Sequence, residues 1–204
     1  MAKEKNNKFI ETAVLKIELR AAPYPLWRRI QVDTGVTLEQ LHMIIQILFL
    51  WEDAHLHHFI INEERYIPEE DDDGDLGLGI KDYTENVRLK DILKLAKQFM
   101  YEYDFGDSWI HDITFEKIVL EEKHFAPKCL GAAGEDPLED IGGVGGFADF
   151  LETVKQKKLS KETKELLDWH GLTVEEARQL PDMEVDTDFL NSELNDFWDG
   201  LQKK

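Results

Sequence analysis

Residues 99–120 read FMYEYDFGDSWIHDITFEKIVL, and this stretch decides the fold class. Phe99, Tyr101 and Tyr103 alternate with other residues, a turn-forming cluster occupies Asp104 to Ser108, and Trp109, His111, Ile113 and Phe115 then share one parity of a second run. Alternation on both sides of a glycine-containing turn is the pattern of an antiparallel hairpin with one buried face. A hairpin of this length predicts an antiparallel sheet, not a parallel one fed by crossover helices. Gly106 is the expected carrier of the turn's positive φ.

Toward the N-terminus, Thr12 to Arg20 alternates, with Leu15, Ile17 and Leu19 on one side and Lys16, Glu18 and Arg20 on the other. After the break at Pro23-Tyr24-Pro25, Leu26 to Val32 reads as a second strand ending at the turn signal Asp33-Thr34-Gly35. Thr37 followed three residues later by Gln40 is a capping box, and Leu38, Leu41, Ile44, Ile45, Leu48 and Phe49 recur at helical spacing through Leu50. Leu56 to Asn62 and Arg65 to Ile67 read as short strands about a Glu63-Glu64 turn, residues 69–79 as an acidic surface loop, and Asn86 to Lys97 as a short amphipathic helix. Toward the C-terminus, Glu121 to Gly146 reads as a long irregular loop. Helices are then expected over Phe147 to Lys157, Lys161 to His170 with Ser160 as cap, a short segment opened by the capping box Thr173 and Glu176, and Asp188 to Asp199. The expected architecture is α+β: a mainly antiparallel sheet of about five or six strands, helices on one face, and a helical C-terminal portion from about residue 147. Residues 1–11 are expected to be a disordered tail ahead of one domain over 12–204.

The chain has 204 residues, with 24 Lys+Arg against 43 Asp+Glu, for a formal net charge of -19. That charge repels a phosphate backbone, so nucleic acid is not expected as the main ligand. The single cysteine, Cys129, makes no internal bridge, which fits a reducing compartment and a cytoplasmic location. Met1 to Lys8 is polar and does not read as a signal peptide. Met43 to Trp51, the most apolar run, is broken by Gln46 and is far too short to span a bilayer.

Three literal motif matches lack the context their chemistry needs. Gly143 to Ala148 spells a dinucleotide fingerprint with no strand before it. Asp104-Phe105-Gly106 spells the kinase magnesium triplet without its partners. Asp71, Asp73, Asp75 and Asp82 take calcium-loop positions, but Leu76 stands where the glycine belongs.

The distribution of histidine, aspartate and tryptophan is more informative. His55 and His57 share a parity with Phe59 and Ile61, His111 shares one with Trp109 and Ile113, and His42 lies on the first helix. Titratable rings are thus aimed at apolar surface, where each requires a hydrogen-bonding partner, and Asp104 and Asp107 are the nearest candidates. Three uses stay open. The histidines are satisfied core residues; or His55, His57, His111 and Asp107 are metal ligands with Asp104 as base; or Trp27, Trp51 and Trp109 wall a pocket, with His42 nearby and Arg28 or Arg29 forking a carboxylate or phosphate.

Three groups of residues carry a family resemblance: Pro25-Leu26-Trp27-Arg28-Arg29, Leu41-His42 with Ile45-Gln46, and Trp51 with His55-Leu56-His57-His58-Phe59. With Tyr101 to His111, Pro127-Lys128-Cys129 and Glu139-Asp140-Ile141-Gly142-Gly143, the chain resembles the Ri-plasmid open-reading-frame-three-like family over roughly Ala13 to Leu194. This family is also labelled as TnpR passenger proteins of insertion sequences. The family commonly carries a second cysteine followed by paired prolines where this chain has Glu135-Asp136-Pro137-Leu138, which weakens any dithiol or cysteine-metal reading. The TnpR label implies a resolvase, yet no nucleophilic serine set among arginines and no basic helix-turn-helix is visible. The expectation is therefore a binding or interaction module for a protein or small molecule. A metal-dependent hydrolase is the alternative, with a divalent ion as its cofactor, and recombination ranks last.

Overall fold

The computed structural model describes residues 9–72, 79–123 and 125–203. Eight strands form one sheet: β1 (Phe9–Leu19), β2 (Trp27–Asp33), β3 (His57–Ile61), β4 (Glu64–Ile67), β5 (Ile80–Tyr83), β6 (Gln98–Tyr103), β7 (Trp109–Glu122) and β8 (Lys128–Ala133). Their spatial order is β5-β4-β3-β6-β7-β1-β2-β8. Every neighbouring pair is antiparallel except β4 with β5. The helices are α1 (Leu38–Leu48), α2 (Leu89–Leu95), α3 (Gly143–Val154), α4 (Lys161–Trp169), α5 (Val174–Gln179) and α6 (Thr187–Gln202). None of them is long and apolar enough to cross a membrane.

The α+β class with a mainly antiparallel sheet stands, but the sheet is wider than the five or six strands expected. The additions are β5 and β8. Four residues of β5 are too few to show a period, and its parallel partner β4 is reached through the intervening 68–79 segment. Strand β8 lies inside the segment read as irregular loop. Its sequence KCLGAA is poor in β-branched residues; it is held as an edge by β2 and by Asn191 of α6, whose side-chain oxygen accepts from Cys129 N at 2.7 Å while its amide donates to Cys129 O at 3.2 Å. The first strand begins at Phe9, with Phe9, Ile10 and Glu11 paired to Glu122, Glu121 and Leu120. Two acidic-loop positions, Asp73 and Asp75, lie outside the described residues.

The long hairpin forms as its alternation predicts: Tyr103 pairs with Trp109, Tyr101 with His111 and Phe99 with Ile113. The turn differs in one respect. Positive φ falls on Asp104 and Ser108, at 55° each, and not on Gly106. Asp104 tolerates it because its Oδ1 accepts from the backbone N–H of Gly106 at 2.8 Å, a local bond that short polar side chains offer in place of a glycine.

The sheet has a dry face and a wet one. On the dry face, register aligns His57, Tyr103 and Trp109 in one row and Phe59, Tyr101, His111 and Leu19 in the next. Helix α1 covers this face, with Leu41, Ile44, Ile45 and Leu48 all buried. The capping box expected at Thr37 and Gln40 is formed in both directions. On the wet face, Arg29 forks Glu116 and Arg20 pairs with Asp112, the division expected of an antiparallel sheet covered on one side.

Candidate functional site

A cleft of about 500 Å³ opens where the start of α1, the segment leading into β3, residues 68–71 and the Asp104 turn come together. Its walls carry Glu39, Asp53, Glu70, Asp71 and Asp104 together with His42, His55 and His57, and, among the described residues, no lysine or arginine. Each group arrives by a different local rule. Glu39 and His42 are three apart on α1 and so share a helix face. His57 opens β3 pointing to the dry face. Asp104 sits in a tight turn and Asp53 in the irregular segment before β3, both at positive φ, as is Asp140 beside the cleft. Among the described residues, three of the eight non-glycine positions with positive φ are these aspartates, a conformation whose cost of about 1–3 kcal/mol each the surrounding packing must offset.

The hydrogen bonds around His42 fix its tautomer. The backbone N–H of Asp53 donates to Gln46 Oε1 at 3.0 Å, so the Gln46 amide nitrogen faces Tyr101 and donates to its hydroxyl oxygen at 3.0 Å. The phenolic proton is then free for His42 Nδ1, 2.8 Å away, which leaves the ring proton on Nε2, 2.8 Å from Asp53 Oδ1. The His57 ring lies parallel to the His42 ring at 3.5 Å between centroids. Its Nε2 is buried without a hydrogen-bond partner among the described residues; Glu39 Oε2, 3.6 Å away, is an electrostatic neighbour only. Burial pushes the His57 pKa down, against the pull of Glu39. Burial alone would raise Glu39, but His57, the Thr84 hydroxyl and the nearby His42 together carry it below the usual carboxylate range. Asp71 is pushed up, chiefly by burial.

Elsewhere on the cleft, His55 Nε2 lies 3.2 Å from Asp140 Oδ1 and 3.8 Å from Asp104 Oδ2, and it too is buried with no hydrogen-bond partner among the described residues. Among the described residues, two sets of three nitrogen and oxygen donors thus come together, Glu39–His42–His57 on the cleft and His55–Asp104–Asp140, of which His55 and Asp104 line the cleft and Asp140 lines a neighbouring cavity.

Of the residues singled out from sequence, His42, His55, His57 and Asp104 converge on this cleft, and the others lie elsewhere. Asp107 accepts from Gly142 N at 3.0 Å, tying the hairpin turn to the loop before α3. His111 is fully buried against Phe49 and Trp51 and packs near Tyr101. Its Nδ1 donates to the Trp109 carbonyl at 3.1 Å, Nε2 has no hydrogen-bond partner among the described residues, and burial pushes its pKa down to about 3. Arg28 is also fully buried. It donates to Leu48 O, Trp27 O, Ala133 O and Gly134 O and pairs with Asp136 at 2.5 Å, so its guanidinium fastens β2, β8 and α1 together. Arg29 is on the wet face with Glu116, and its guanidinium stacks over half-buried Trp27. Trp51 is buried with its indole N–H on Pro137 O, and Trp109 is in the core. Sequence reasoning passed over Glu39, Asp53 and Asp140. Glu39 was within reach, one helical turn before His42; Asp53 and Asp140 carry no periodic signal.

The family model described as plasmid pRiA4b ORF-3-like protein matches residues 11–184. An uncharacterized protein, y4hQ of Sinorhizobium fredii, is 29% identical over 157 residues, which is 77% of this chain and 79% of that protein. The crystal structure of a protein of unknown function, MM3350 from Methanosarcina mazei Go1, is similar with a TM-score of 0.66 and 30% identity, covering 79% of this chain and 90% of that one.

Proposed function

The chain belongs to the plasmid pRiA4b ORF-3-like family, and from that footing we propose that it is a binding module whose ligand is a cation entering the cleft between α1, β3 and the Asp104 turn. One observation carries this reading. Five carboxylates and three imidazoles line the cavity with no lysine or arginine among the described residues, so its potential is negative and its donors and acceptors suit a positively charged guest. Anions, including nucleic-acid phosphate, are repelled by the same wall. Trp27, Arg28, Arg29, Trp51 and Trp109 lie outside the cavity lining and are not its contacts in this reading.

The test is amide chemical-shift mapping of the full chain with zinc chloride, magnesium chloride, 1,4-diaminobutane and, as the opposite charge, sodium phosphate. Shifts from at least one cation at Ala54, His55, Phe105 and Gly106, absent with phosphate, are expected. Shifts confined to the wet face of the sheet, or a cleft that responds only to phosphate, refute the reading.

A second reading, metal-dependent hydrolysis, draws support from the two neighbouring donor sets, which share the cleft through His55 and Asp104. Asp104 is suited to an accessory role there: Oδ1 is committed to the turn amides of Gly106 and Asp107, and Oδ2 faces His55. Hydrolysis of a chromogenic phosphoester that depends on added metal and is lost in Asp104→Asn would favour it over simple binding.

A further inference from the structure

We infer that the cation taken up by this cleft is a divalent first-row transition-metal ion held by His57, Glu39 and His42, an inference that rests on reading the cleft as a cation site. The donor atoms these three residues offer all lie within 4.8 Å of one another. His57 Nε2 and Glu39 Oε2, 3.6 Å apart, are too distant to hydrogen-bond, yet they sit close to the edge of about 3.4 Å that bonds of about 2.0–2.1 Å span in a tetrahedral site. The His57 side chain is only 5% exposed, and its Nε2 has no hydrogen-bond partner among the described residues. Buried polar atoms are nearly always satisfied, and an ion between the two residues would satisfy this one.

The surrounding shell already orients the ligands. Glu39 Oε2 accepts from the buried Thr84 hydroxyl at 2.7 Å, and the Glu39 backbone N–H donates to Thr84 O at 3.2 Å, so the carboxylate is held before any ion arrives. Two imidazoles and one carboxylate suit zinc, cobalt, nickel or ferrous iron, whereas magnesium and calcium prefer all-oxygen sets. Three protein ligands leave a coordination position open toward the cavity.

His42 is the weaker nitrogen donor. In the free protein its Nε2–H is given to Asp53, and its Nδ1 receives the Tyr101 hydroxyl proton. Metal binding must shift the ring proton to Nδ1 and splay the ring away from its parallel partner. His57 and Glu39 are therefore the anchors, and substitutions there decide the matter.

Zinc chloride is titrated calorimetrically into the untagged full-length chain without chelators, alongside magnesium chloride. The expected result is one zinc per chain and no magnesium heat, with affinity lowered at least about tenfold in His57→Gln and in Glu39→Gln and by a clearly smaller factor in His55→Gln. The His57 ring nitrogens should shift on zinc addition in long-range 1H–15N spectra. Glu39 is 32% exposed, so Glu39→Gln decides the outcome if His57→Gln fails to fold. Zinc binding untouched by both variants, or abolished by His55→Gln, overturns the assignment. If zinc gives no heat while 1,4-diaminobutane still shifts the cleft amides, the metal inference falls and the cation cleft stands; if neither probe moves those amides, both fall.

Discussion

Acidification from about pH 7 to about pH 5 should destabilise the protein by about 2 kcal/mol through His111 alone. The unfolded chain takes up a proton on this imidazole below its ordinary pKa of about 6.5. The folded chain, with the ring enclosed by Phe49, Trp51 and Tyr101, does not do so until about pH 3. Because the folded pKa is the lower one, stability is intact above the unfolded pKa and is lost progressively as pH falls toward the folded value. At about 1.4 kcal/mol per unit, the drop from about 6.5 to about 5 gives roughly 2 kcal/mol, rising toward about 5 kcal/mol near pH 3. His57, His58 and His170 are also pushed down by burial and add to the acid sensitivity, so the His111 share is isolated by difference. Urea unfolding of the parent and of His111→Phe at both pH values is the assay. Phenylalanine keeps the ring in its aromatic surroundings and removes the titration, at the loss of the Nδ1–H bond to the Trp109 carbonyl. The parent should lose about 2 kcal/mol more than the variant between the two pH values. Equal losses within about 0.5 kcal/mol would show that His111 is not held neutral in the core, and the reasoning would fail.

Two further outcomes test how the scaffold holds the cleft. Arg28→Met should cost about 3–5 kcal/mol in urea unfolding, because it strands Asp136 and four carbonyls, and adding Asp136→Leu should recover a large part of that loss; a single-variant cost under about 1 kcal/mol would mean that the pair is not the clasp between β2 and β8. Gly143→Ala should cost at least about 2 kcal/mol and shift the Gly106 amide, since φ is +66° and a Cβ would lie 2.1 Å from Asp107 O. An unperturbed Gly106 would sever the link drawn between the loop before α3 and the hairpin turn.

Much of the architecture was legible because its signals are local. The 99–120 hairpin, the Thr37 and Thr173 capping boxes and the Ser160 cap are written in residues a few positions apart, and each forms. Strands β5 and β8 were not legible: one is four residues long, and the other has its edge supplied by an asparagine 62 residues away. The Asp104 turn shows the same limit on a smaller scale. A glycine was available, yet the strained conformation went to the residue whose carboxylate could stabilise it.

The site divides along the same line. Sequence by itself placed His57 and His111 on the apolar side of their strands and His42 on the inner side of α1, because strand parity and helix spacing fix the side of an element on which a residue lies, whereas His55 lies before β3 begins and parity does not apply to it. Parity cannot tell which buried histidine meets a carboxylate and which meets only rings. His57 and His111 look alike in sequence, each alternating with aromatic or aliphatic neighbours, but His57 opens a strand near the sheet's β5 end, facing Glu39 of α1, while His111 lies in the central β7 beneath Phe49 and Trp51. Likewise, Arg28 and Arg29 are adjacent, and their opposite fates follow from which face α1 covers. That choice rests on contacts between residues remote in the chain, which is why only the tertiary structure could decide where the cleft is and which residues line it.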